Sequence, residues 1–272
     1  MIADRPAAGR PRATRDPEPD SATILDELTA GRIRAAEPDE TAPGGWRVRP
    51  EVKAGILACF VDPTPAVWQA GPFAFRDRAA FVPIDPGPGR RVVPGGTAIR
   101  AGAHLEPGVV VMPPSYVNVG AWIGANTMVD SHVLVGSCAQ IGAGVHLSAG
   151  VTIGGVLEPP GARPVIVEDG AFVGAGSRLL DGVLVRHGAV IAAGVILTGT
   201  SRLYDLVDER ELAGTIEEPL VVPPDVVVVP GSRPLAGAWA EERGLSVATA
   251  VIVKRRDAGT SARVALEGAL RD

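Results

Sequence analysis

The chain has 272 residues, enough for one large domain or two small ones. Its 26 basic and 31 acidic residues leave a net charge of −5, which argues against an electrostatic nucleic-acid binder. No run of about 18 apolar residues offers a membrane span and the N-terminal segment has no hydrophobic export signal, so a soluble cytoplasmic protein is expected. Cys59 and Cys138 form neither a disulfide framework nor a zinc motif and read as buried free thiols.

Residues 1–20 mix Pro, Arg and acidic side chains with almost no large apolar ones, so they are expected to be a disordered tail. From Ser21 a helix is predicted, with Ile24, Leu25 and Leu28 on one face and Gly31 as its stop. A second starts at Pro50, with Val52, Ile56 and Phe60 along one side, and ends near Asp62-Pro63. Residues 21–90 therefore read as a small, mainly helical domain that ends in irregular, Pro- and Gly-rich chain.

From Ile99 every sixth residue is aliphatic: Leu105, Val111, Val117, Ile123, Val129, Val135, Ile141, Leu147 and Ile153. Four residues after each comes a small or β-branched side chain, from Ala103 to Val151. The beat breaks at residues 154–166, which hold three prolines, and resumes from Val167 through Val173, Leu179, Val185, Ile191 and Leu197 to Leu203. A period of six fits neither a helix nor a single alternating strand. It fits a hexapeptide β-solenoid, a prism of short parallel strands and tight turns, expected over residues 91–232. The break at 154–166 reads as a functional loop pushed out of a coil, and residues 206–219 as a second, acidic excursion. Val222 and Val228 restore the repeat, and residues 233–272 read as a capping strand (248–256) followed by a short polar helix. Its four histidines, at 104, 132, 146 and 187, contain no close ligand pair, so no metal is expected.

Several stretches carry more than the beat: RVVP at 91–94, MPPSYVNVGAW at 112–122, TMVD at 127–130, VGSCAQIG at 135–142, VHLS at 145–148 and IGGVLEP at 153–159. With IVEDGAFVGA at 166–175, SRLYD at 201–205 and AVIVK at 250–254, they resemble the tetrahydrodipicolinate N-succinyltransferase family in order, over roughly residues 21–268. The resemblance implies a left-handed parallel β-helix and a homotrimer with active sites between neighbouring prisms. It also implies transfer of succinyl from succinyl-CoA, a cosubstrate, to the amine of an amino acid acceptor on the diaminopimelate and lysine route. No permanently bound cofactor, nucleic acid or membrane partner is implied.

Carried over residue by residue, the resemblance makes Arg91 a carboxylate-binding group for the acceptor and Asp130 the partner, and candidate base, of its amine. Ser148, Gly150, Gly154, Thr200 and Ser201 are candidate contacts for the CoA arm, because small residues let it approach the backbone. Lys254 is within the class of residues that reach CoA phosphates. Each also has a plain structural reading: a surface arginine, a turn aspartate, small turn residues, a solvated strand end.

Three departures fall near the acceptor. Arg178 stands where the family has a functional glutamate, Ser131-His132 follows the aspartate in place of Thr-Trp, and MPPSYVN has an additional proline. Arg178 reads as a substrate-binding residue for a further carboxylate, and His132 as a possible base at neutral pH or a filler of the tryptophan's site. Two alternatives stay open: a paralogue that acylates another amine from succinyl- or acetyl-CoA, and a noncatalytic ligand-binding solenoid.

Overall fold

The computed structural model describes residues 21–260, with side chains from Ile24 onward. The expected N-terminal tail lies outside the described residues, as does most of the polar helix expected beyond residue 256. Two-residue strands recur every six residues and stack into three parallel sheets, which form the faces of a prism. The first face holds residues 104–105, 122–123, 140–141, 166–167, 184–185 and 221–222; the second holds 91–92, 110–111, 128–129, 146–147, 172–173 and 190–191 and continues into Val226–Pro234. The third holds 98–99, 116–117, 134–135, 152–153, 178–179 and 196–197. Partners sit 18 residues apart, as Trp122 on Gln140 and Leu134 on Thr152, so three hexapeptides make one coil.

Strand alternation explains the beat. In each rung the second strand residue and the residue two before it point inward, as Ala103 and Leu105 or Val145 and Leu147 do, and all are buried. Each buried Val, Leu or Ile contributes about 1.5–3 kcal/mol relative to exposure, and the stack adds this coil by coil. Three of the buried inward positions are hydroxylic, and each is satisfied by the next coil. Ser115, Thr127 and Ser177 donate to the carbonyls of Asp130 (2.8 Å), Gly142 (2.7 Å) and Ala192 (2.9 Å). They accept from the N–H groups of Val133, Val145 and Val195.

Two inserts interrupt the 18-residue offset. Gln140 pairs with Ile166 across the first, and Leu184 with Val221 across the second. Leu203, the last residue of the beat, is buried in the same core but leaves the coil. It lies on Arg202–Asp205, which forms a hairpin with Arg210–Ala213 and pairs in parallel with the terminal strand Ser246–Arg255. That terminal strand also runs antiparallel to Val226–Pro234, and its Ala250 and Ile252 close the core at this end.

Residues 21–90 hold more β-structure than their composition suggests. Helices α1 (Ser21–Thr29) and α2 (Pro50–Cys59) form with Ile24, Leu25, Leu28, Val52 and Ile56 buried against Val119 and Cys138 of the prism. Ala36–Pro38 pairs with Trp46–Val48, and Pro65–Ala70 with Phe73–Arg78. Neither pair is expected from the sequence; the signal of the second is Gly71-Pro72 between runs rich in aromatic residues, with Gly71 at φ 59° supplying the left-handed turn residue. His104, which reads as an exposed turn residue, is in fact buried on the first face, where its Nδ1 donates to Thr29 O (2.8 Å) and its ring meets that of Trp122 at 4.3 Å.

Candidate active site

At the corner joining the second and third faces, successive coils place Pro113-Pro114, Asp130-Ser131-His132, Ser148-Ala149-Gly150 and Gly174-Ala175-Gly176 above one another. Backbone bonds tie the column. The N–H of His132 donates to Pro114 O (2.8 Å), that of Gly150 to Ser131 O (2.8 Å), and that of Gly176 to Ala149 O (2.9 Å). Asp130, His132, Ser148 and Gly150 thus share one strip, with about 4.8 Å between coils.

Asp130 follows inward Val129 and is half-buried. Its Oδ1 accepts the Ser131 N–H (2.6 Å), and its second oxygen has no hydrogen-bond donor among the described residues. His132 is exposed and holds φ 60° at a corner position where the following coils use Gly150, Gly176 and Gly194 at φ 71°, 68° and 74°. Beside it runs an open groove of about 330 Å³, lined by Gly96, Pro114, Tyr116, His132 and Leu134. The groove has one wall in this chain.

The arginines fall on either side of this strip. Arg91 stands on the second face, two coils from Asp130 toward the N-terminal end, and Arg178 on the third face, two coils the other way. About 19 Å separates them along the axis, so within one chain they do not meet. Both are exposed, and neither guanidinium has an ion-pair partner among the described residues. Gly154, Thr200 and Ser201 lie at the opposite edge of the third face, where the Ser201 hydroxyl accepts the Thr198 N–H (2.9 Å). Lys254 is not brought to the group: it sits four rungs beyond His146 on the extended second sheet and pairs with Asp257 at 2.6 Å.

The 154–166 loop, read from the sequence as functional, lines no part of this groove within the chain. The loop leaves the corner between the third and first faces and is fastened under α2. Fully buried Lys53 donates to Ala162 O (2.8 Å) and Pro159 O (3.3 Å). Arg163 donates to Gly182 O (2.8 Å) and Pro219 O (2.6 Å), joining this loop to the second excursion. Burial lowers the Lys53 pKa and pushes that of Arg163 down to about 10, with Arg186 adding to the latter. Lys53 was missed in the sequence; its signal is a cation beside Val52 on the apolar side of a helix. The nearby Cys138 thiol is buried and pushed up to about 12, mainly by desolvation, which fits packing and not nucleophilic chemistry.

Two further clefts, of about 650 and 590 Å³, lie on the first-face side beneath the 36–48 strand pair. The larger is already occupied by the chain's own Arg34, whose guanidinium stands 4.1 Å from the Trp122 ring and 5.7 Å from that of Trp46 and donates to Gln140 (3.0 Å). Neither cleft contains any of the site residues read from the sequence. No group of three His, Cys, Asp or Glu placed to hold a metal occurs among the described residues, and no helix among them is long and apolar enough to cross a membrane.

A three-sided prism of hexapeptide rungs is a fold shared by hexapeptide-repeat acyltransferases, and the family model for the hexapeptide repeat of succinyl-transferase matches residues 164–199. A 2,3,4,5-tetrahydropyridine-2,6-dicarboxylate N-succinyltransferase of Granulibacter bethesdensis is 41% identical over 268 residues, 94% of this chain and 90% of that protein. The chain belongs to the tetrahydrodipicolinate N-succinyltransferase family, and its prism is the left-handed parallel β-helix of that class. The Idiomarina loihiensis protein of the same name is 45% identical over 119 residues, which span 44% of this chain and 39% of that protein. A solved Campylobacter jejuni chain, described as a candidate 2,3,4,5-tetrahydropyridine-2-carboxylate N-succinyltransferase, is a distant likeness. It has 16% identity and a TM-score of 0.45, with 90% of this chain and 63% of that one covered.

Proposed function

We propose that the protein transfers the succinyl group of succinyl-CoA to the amine of ring-opened tetrahydrodipicolinate, as a cytoplasmic homotrimer with sites between neighbouring prisms. The observation that carries this reading is the corner strip, where Asp130 offers an unpartnered carboxylate oxygen one coil from Ser148 and Gly150. The amine nitrogen attacks the thioester carbonyl carbon, and the C=O pair moves onto oxygen. When the carbonyl re-forms, the C–S bond breaks and CoA leaves as the thiolate. The amine proton passes to Asp130, or to His132 beside it, and from there to the thiolate. Arg91 holds a carboxylate of the acceptor. The edge at Gly154, Thr200 and Ser201 takes the pantetheine arm.

The trimer is supported by the one-walled groove and by the third face, whose column of outward side chains leaves Tyr116, Leu134 and Ile196 at 37%, 37% and 56% exposure. A second prism laid against that face supplies the missing wall. Coupled release of the CoA thiol tests the reading, with succinyl-CoA and acetyl-CoA offered against tetrahydrodipicolinate and a panel of amino acids. Turnover of tetrahydrodipicolinate is expected; turnover of another amine alone overturns it.

One observation favours a second reading. Arg178 is an unpaired cation on an otherwise uncharged column of the third face, and it suits an acceptor with a further anionic group. In that case Arg178→Glu lowers kcat/KM for the true acceptor at least tenfold while the KM for acyl-CoA holds.

A further inference from the structure

Ser148 breaks a rule that the other buried hydroxyls of the prism obey. Ser115, Thr127 and Ser177 each donate to one carbonyl of the next coil and accept one N–H from it. Ser148 is 7% exposed, its Oγ is buried, and that oxygen has no hydrogen-bond partner. A buried hydroxyl left unpaired destabilises the fold that contains it, so this one is held for something the chain does not supply.

Its place in the fold indicates what that is. Ser148 stacks one coil below Asp130, at the equivalent corner position, about 4.8 Å along the axis. The Asp130 N–H donates to Leu147 O (2.9 Å), which fixes the two corners in register. The next residue, Ala149, is exposed, and its N–H makes no hydrogen bond among the described residues. The chain therefore presents two consecutive donors, one hydroxyl and one amide, beside the carboxylate assigned to the amine. Serine has one side-chain torsion with three staggered wells. Because the occupied well gives Oγ no partner, turning it outward beside the exposed Ala149 breaks no hydrogen bond.

We propose that Ser148 is a further catalytic residue. Its hydroxyl, with the Ala149 N–H, donates to the thioester oxygen as that atom takes up the electron pair of the C=O bond during attack by the amine. The donors return the oxygen to a carbonyl when the C–S bond breaks and the thiolate leaves, while the amine proton goes to Asp130. The inference rests on the acyl-transfer reading above. It goes further in assigning the charge that develops in the transition state to a named donor pair.

Steady-state kinetics and thermal unfolding of the full-length protein test it through Ser148→Ala, with Ser115→Ala as control. Ser148→Ala is expected to lower kcat about 100-fold, as loss of one such donor does elsewhere, with the KM for succinyl-CoA changed less than threefold. Its Tm should be equal to or above that of the parent, because the deleted hydroxyl was unpaired. Ser115→Ala, which deletes a paired hydroxyl, should lower Tm. A Ser148→Ala protein with kcat within threefold of the parent overturns the proposal. So does a rise in KM alone, which marks a binding contact, or a loss of kcat that tracks a fall in Tm. If the parent protein releases no thiol from any acyl-CoA with any amine, the acyl-transfer reading fails and takes this assignment with it. Activity retained by the variant removes the serine alone.

Discussion

His132 should trade stability for function, and His132→Gly measures both. The residue holds φ 60° in a column whose next three members are glycines at φ 71°, 68° and 74°. Those glycines are there for the backbone and not for space: a Cβ built on Gly176 or Gly194 meets nothing within 4 Å, and one on Gly150 meets only ordinary contacts at 3.8 Å. A left-handed conformation costs a residue with a Cβ about 1–2 kcal/mol, and histidine tolerates it better than most, which favours the lower figure. Against that, glycine loses roughly 0.5–1 kcal/mol more backbone entropy on folding. The exposed imidazole has little packing to lose, so His132→Gly should stabilise the fold by about 0.5 kcal/mol. For a chain of this size that raises Tm by about 1–2 °C, which thermal unfolding followed by circular dichroism resolves. If the imidazole takes part in proton transfer, kcat should fall by about 100-fold in the same protein. A Tm that drops by 2 °C or more would show that the side chain supports the fold and would refute the reasoning.

Asp130→Asn should lower kcat by about 100-fold or more with an unchanged Tm, read by thiol release and thermal unfolding, because the charge assigned to the amine is lost while the amide still accepts the Ser131 N–H. Lys53→Met should destabilise by roughly 1–3 kcal/mol in urea unfolding, since it removes the only side-chain donor to Ala162 O and the second donor to Pro159 O, which keeps the Ala162 N–H. Asp205 gives a pH dependence. Burial raises its pKa, but the N–H groups of Asp208 and Val207, the Arg210 side chain and the charge of Arg255 outweigh this and hold it below the usual carboxylate range. Its stabilisation is therefore complete above the unfolded value of about 3.9 and lost as pH falls through the lower folded value. Asp205→Asn should cost about 1–2 kcal/mol at pH 7, and the gap between variant and parent in urea midpoints should close as pH is lowered from 6 toward 3.

The inward positions of the prism were legible in the sequence because a local steric rule sets them: alternation places every sixth residue inside, whatever surrounds it. Corners are decided by what stacks above and below, and the inserts hide that stacking. Asp130 and Ser148 differ by 18 and are neighbours on sight. Thr152 and Arg178 differ by 26 and become neighbours only once the loop between them is removed from the count. This is why Arg91 and Arg178 could be assigned to one substrate although two coils separate each from Asp130. The loop itself read as functional because prolines expelled it from a strand, and only Lys53 and Arg163, distant in sequence, show where it is fastened. Ser148 could be placed in the site by its motif, yet nothing in its sequence neighbours distinguishes a satisfied hydroxyl from an orphan one; that requires the coil beneath.

The most direct test of where the chemistry occurs is a crystal structure of the protein with CoA and a dicarboxylate amine analogue. Density for the CoA sulfur is expected at the corner of the second and third faces, within hydrogen-bonding reach of the Asp130–Ser148 strip and walled by a second prism. A sulfur in the cleft beside Arg34 and Trp122, or elsewhere on the first face, would contradict the site, and with it the roles given to Asp130, His132 and Ser148.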